Sequence, residues 1–313
     1  MSKWLKLPAT AARIQSKSGW LRASKIPSLA TLSCIMADAG VVERLCDELL
    51  AENQELDAFV SDLSAEDWGC VTPFFDWTVR DQILHLFQVD RFGLISLGDV
   101  DAFRATVTAI RAKQADGIEL SQQIRTEFEG ISDAEVLRIW REGYERIVRS
   151  LRTAEDGYRV AWFGPEMGVL SFATARLMEV WAHGQDIYDL FRVQREPTSR
   201  IRHVCDLGAR TFGWSFRNRE LEPPERPTVR LEAPSGEEWE WPGSDSLVSG
   251  PALDFALVVT QRRAPEDTEL VTCGTEADQW LEIAQCFAGA PQEPAAPGSR
   301  PPHSSAKEGN RDG

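Results

Sequence analysis

The stretch LMEVWAHGQDIYDL, residues 177–190, decides how this chain is read. Its apolar residues Leu177, Met178, Val180, Trp181, Ile187 and Leu190 fall around nearly the whole circumference of a helix. A helix that is apolar on most sides is a central one. Glu179 and His183 are set into it four residues apart, so they share a face, with Cβ atoms roughly 5–6 Å apart. An ionised carboxylate buried there is costly unless it is paired or bound to a cation. Two readings follow. The pair is either a satisfied ion pair in a dry core or two donors of a metal site that needs a third.

Outward from this helix the periodicity predicts three more long ones. Residues 41–63 repeat apolar side chains at three and four (Val42, Leu45, Leu49, Leu56, Phe59, Val60 and Leu63), as do 78–96 and 133–154. Thr78 followed by Asp81 fits an N-cap with an acid at the third helical position. The fourth helix is 171–193, and a fifth, 199–217, runs to LEPPERP, where proline stops it. The long connection between the second and third helices suits a bundle with a crossover. After it the texture changes to short alternating segments such as PTVRLEAP and GEEWEWPG, with helical GPALDFALVVTQRR and EADQWLEIAQCF between and after them. The expected fold class is α+β: a four-helix bundle over 37–220, then a small α+β domain over 225–288. The Pro/Gly/Ser-rich tail, 289–313, is expected to be disordered.

Composition narrows the function. A net charge of −15 over 313 residues argues against nucleic acid or an anionic membrane as partner, since both require basic surface. No run approaches the roughly 20 apolar residues of a membrane helix. The partner is expected to be a small molecule. The six cysteines show no CxxC and read as reduced, scattered thiols of an intracellular, cytoplasmic protein. Residues 1–36 carry six Lys/Arg and no acid. That is either a transit-like leader for an organelle or a segment ahead of a true start at Met36.

There are four histidines. His303 lies in the tail, and His203, beside Arg202, reads as a surface imidazole. His85 and His183 remain, each on a bundle helix, and a second His on a neighbouring helix would complete a His₂Glu set, with one or more positions left for water or substrate. Such donors suit Zn²⁺, Ni²⁺, Fe²⁺ or Mn²⁺. Asp186 is either an acceptor that orients the His183 ring or an exposed helix acid. Trp140, Trp162, Trp181 and Trp214 read mainly as core filling, with Trp162 and Phe163 also candidates to line the site.

DWTVRDQILHL, 76–86, resembles GWTVRDVVAHL, the signature of the mycothiol-dependent maleylpyruvate isomerase metal-binding domain, a branch of the DinB-like superfamily. Thr78, Val79, Arg80, Asp81, His85 and Leu86 match, and Asp76 replaces the usual glycine. RLMEVWAHGQDIYDLF is similar to the family's second motif. The resemblance spans about 40–217 and implies a DinB-like bundle with His85, Glu179 and His183 as metal ligands. The segment from GEEWEWPG to LVVTQRR resembles the sterol-carrier-like C-terminal domain of the same proteins. SFATARLMEVWAHGQD and SGPALDFALVVTQRR are similar to phrases of an uncharacterised actinobacterial-type metal-binding subfamily. The isomerases also use a low-molecular-weight thiol, mycothiol, and an arginine from the C-terminal domain, for which Arg262 is the candidate here and Arg263 a rival. The alternative for either is a helix-terminal arginine at the surface. The resemblance implies a metal-dependent, thiol-using isomerase or transferase acting on a small electrophile. The alternative is a non-catalytic metal-containing ligand-binding protein.

Overall fold

The computed structural model describes residues 29–155 and 157–302. The leader reading therefore lies largely outside the described residues, although 29–36 already belong to the first helix. The chain is α+β, with a helical first part and a small sheet domain. Two compact units are distinguished, one taking residues to 68 and 80–176, the other 69–79 and 177 onward.

The first unit is built on α1 (Leu29–Ser61), α3 (Val79–Gly98), α6 (Asp133–Arg152) and the first two turns of α7 (Val169–Phe191), with α2 (Ala65–Trp68) a single turn between α1 and α3. These are the four expected long helices, with ends shifted by a few residues except at the start of α1. The expected crossover is not bare loop. It holds α4 (Val100–Ala115), capped by the Asp99 carboxylate on the Ala102 N–H, and α5 (Leu120–Glu127). Phe103, Val107 and Ile110 of α4 build a satellite core with Phe92 and Ile95. Trp162 and Phe163 join that cluster, stacked and edge-on against Phe103. Gly93 lets α3 approach its neighbours closely: a Cβ there would lie 2.8 Å from Phe172 Cζ and 3.0 Å from Ile147 Cδ1. One turn before Glu179, Arg176 Nε donates to Asp90 at 2.9 Å, both side chains being fully buried. This ion pair fixes the register of α3 against the start of α7.

In the second unit α8 (Ile201–Arg210) and α9 (Phe212–Arg217) replace the single expected fifth helix. The break falls at Thr211, whose hydroxyl donates back to the Leu207 carbonyl. Serine and threonine bonds of this kind bend helices. A four-stranded sheet of order β4-β3-β5-β6 follows: β3 (Pro227–Glu232), β4 (Glu238–Trp241), β5 (Ser244–Pro251) and β6 (Val271–Cys273). The β3–β5 pair is parallel and the others antiparallel. Helices α10 (Ala252–Val259) and α11 (Thr275–Ile283) complete the layer, with Phe255 and Trp280 fully buried. A two-stranded ribbon, β1 (Arg159–Val160) with β2 (Met167–Gly168), precedes α7.

Two expectations are corrected. Trp214 is not core: it is 36% exposed and its indole N–H donates to the Phe287 carbonyl. The tail is not featureless throughout, because residues 289–302 take hydrogen bonds and ion pairs from the second unit. Composition predicts a lack of core but cannot register such polar anchors. The remainder of the tail, with His303, lies outside the described residues.

Candidate metal centre

His85 projects from the second turn of α3, and Glu179 and His183 from successive turns of α7. One ligand atom of each lies within 4.8 Å of the others, a group that could hold a metal ion. Glu179 Oε2 is 3.3 Å from His183 Nε2. Two donors each roughly 2.0–2.2 Å from a zinc-type ion stand about 3.0–3.5 Å apart at ordinary coordination angles. The donor set and this spacing fit a divalent cation.

The His183 ring is held from two sides by a loop that sequence reading passed over. In the segment preceding α3, Val71 bridges Thr78, the Thr72 N–H donates to the Trp77 carbonyl at 2.7 Å, and the Val79 N–H to that of Cys70. This tight loop places Trp77 parallel to His183, with centroids 5.8 Å apart, and Phe74 edge-on at 5.1 Å. Between them Phe75 takes a left-handed φ of 49° and is 64% exposed. A bulky residue seldom adopts that conformation, and such strain tends to gather at functional loops. The usable signal was the aromatic run in PFFDW, immediately ahead of the His85 motif.

Asp186 is fully buried, which removes the exposed-acid reading. It lies 3.9 Å from His183 Nδ1, beyond hydrogen-bond reach, and its carboxylate accepts instead from Arg262 Nη2 at 2.7 Å and Arg300 Nη1 at 2.6 Å. Burial pushes the Asp186 carboxyl up, but Arg262, Arg300 and His183 outweigh it and hold the group below the ordinary carboxylate range. The surface reading of the arginines is likewise corrected, since Arg262 and Arg263 are both buried. Gln261, at φ 60°, turns the chain at the end of α10, and the Arg262 N–H donates to the Leu257 carbonyl. Arg262 then spans the Thr260 carbonyl and Asp186, with its guanidinium 4.7 Å from the Phe74 ring centre. Arg263 forks onto Asp189 with bonds of 2.7 and 2.8 Å. Sequence spacing cannot reveal this network, because its acids and bases lie more than 70 residues apart.

Residues 49–188, which include all three donors, match the family described as Mycothiol maleylpyruvate isomerase N-terminal domain. An uncharacterized protein of Mycobacterium tuberculosis, found in two strains, is 42% identical over 259 residues, covering 82% of this chain and 98% of the relative. The chain belongs to the mycothiol maleylpyruvate isomerase N-terminal domain family. Among solved structures, the mycothiol-dependent maleylpyruvate isomerase is similar at 13% identity with a TM-score of 0.48, covering 74% of this chain and 92% of that one. A mutant of that isomerase gives 0.46 over the same shares. Among the described residues, no helix of this family member is long and apolar enough to cross a membrane.

Proposed function

We propose that the chain binds a divalent metal ion through His85, Glu179 and His183 and acts as a thiol-dependent isomerase or transferase on a small electrophile. The observation that carries this reading is the convergence of two imidazoles and one carboxylate within 4.8 Å. A bound zinc-type cation would stabilise a thiolate near neutral pH and so supply the nucleophile. Family membership makes a mycothiol-type thiol the first candidate, and zinc is the first candidate metal on the donor set.

The chain's own residues would supply the rest. Trp77 and Phe74 hold the His183 ring in one orientation, so its Nε2 faces the site while its Nδ1 faces Asp186. Arg262, buried beside Phe74 and paired with Asp186, would hold a substrate carboxylate only by exchanging that partner. A thiol held at this site would supply reversible addition to a conjugated cis double bond, giving the trans isomer when it departs again, or a stable adduct in the transferase form.

A second reading, a metal-containing ligand-binding protein, is favoured by a cavity of about 560 Å³ in the second unit, lined by Trp181, Tyr188 and Arg195 among others. Elemental analysis of protein purified without added metal tests both. Stoichiometric metal that is lost in His85→Ala supports the site, and metal-free wild-type protein that takes up none on titration overturns it. Turnover of maleylpyruvate with a low-molecular-weight thiol then separates catalysis from binding.

A further inference from the structure

The C-terminal segment is not absorbed by the metal site, yet its polar groups are placed with care. The Gln292 N–H donates to Gln285 Oε1 at 3.0 Å, and its carbonyl accepts from Gln261 Nε2 at 3.0 Å and from Arg219. The Gly298 N–H donates to Asp267 at 2.9 Å. The next anchor is Arg300, whose side chain is only 6% exposed. Its Nη1 lies 2.6 Å from Asp186 Oδ1 and 3.4 Å from Asp189 Oδ2. Beyond it, Pro301 and Pro302 form part of the wall of the cavity that Trp181 and Tyr188 also line.

These contacts tie the segment to the candidate catalytic arginine. Asp186 takes Arg262 on one oxygen and Arg300 on the other. Beyond Asp186, Arg262 is restrained by the Phe74 ring beside its guanidinium and by one backbone carbonyl. Nη1 donates to the carbonyl of Thr260, two residues away, and its buried Nε has no acceptor among the described residues. Without Arg300, Asp186 would keep one guanidinium and a bare, buried oxygen. A buried carboxylate in that condition rearranges or recruits water.

We propose that residues 291–302 form a strap and that Arg300 is a positioning residue, fixing Arg262 in one orientation by occupying the second oxygen of Asp186. The role of Arg262 in chemistry rests on the function proposed above; the strap and its effect on Arg262 do not. Composition hides the device, because a single arginine in a proline-rich tail is indistinguishable from a solvated one.

Arginine side-chain NMR of the full chain tests it, with the Nε–H signal of Arg262 assigned through Arg262→Lys. In Arg300→Ala, exchange of that proton with solvent should accelerate about tenfold or more, the signature of local opening. A chain ending at Ser299 should behave alike, and Arg300→Lys should restore much of the protection. The Arg176 signal, buried in the first unit, serves as control. Arg262 exchange within about twofold of wild type in both the alanine variant and the truncation would overturn the proposal. So would equal acceleration at Arg176, which would report general loosening. Neither metal nor turnover enters the measurement, so its failure leaves the metal–thiol reading standing, and a metal-free protein leaves the strap standing.

Discussion

His183 and Trp77 lie ring on ring, their planes 12° from parallel and their centroids 5.8 Å apart. Hydrogen-bond partners that orient a metal-binding imidazole without touching the ion contribute about 10–100-fold in affinity, and a ring stacked on the imidazole restrains the same rotation. Trp77→Ala should therefore weaken metal binding about tenfold or more while all three donors remain. Competition with a chromophoric chelator reads the dissociation constant. An unchanged value would confine Trp77 to packing.

The Asp57 carboxylate gathers Arg141 in a two-pronged bond, the Tyr144 hydroxyl at 2.8 Å and the Ser61 hydroxyl. Burial raises its pKa, but the bonds from Arg141, Tyr144 and Ser61 outweigh that and lower it overall. A carboxyl with a depressed folded pKa adds stability above its unfolded value, about 3.9, and loses it as pH falls through the folded one. Asp57→Asn should cost about 1–3 kcal/mol at pH 7. In urea unfolding at successive pH values, the gap to wild type should close below about pH 4. A gap independent of pH would refute the charge-based account.

The described cysteines divide by burial. Burial pushes the Cys46 thiol up to about 11 and the Cys286 thiol to about 12, and raises that of Cys205 as well. Cys273 is exposed and Cys70 half-buried. Because only the thiolate attacks, native protein treated with iodoacetamide at pH 7.5 should be modified at Cys273 and Cys70 well before the other three. Peptide mass spectrometry gives the order. Fast modification of Cys286 would contradict the packing described.

Gly93 marks the closest approach of α3 to its neighbours. A methyl group there must displace Phe172 or Ile147, so Gly93→Ala should destabilise by about 1–3 kcal/mol in thermal or urea unfolding. A neutral effect would mean that the Phe172 ring yields freely.

Much of this protein was legible one residue at a time. The periodicity of α1, α3, α6 and α7 comes from side chains that must face a core whatever their partners, so the bundle could be read from spacing. Glu179 and His183 share a face because a helix repeats every 3.6 residues, whereas His85 was joined to them through the resemblance of DWTVRDQILHL to the family signature. The tertiary structure decided what lies across sequence distance. It brought the aromatic loop onto His183, buried Arg262 and Arg263 against Asp186 and Asp189, and drew Arg300 out of a proline-rich tail. Local periodicity is dictated by backbone geometry, whereas a buried charge is tolerated only where distant counter-charges arrive, and no local pattern records their arrival.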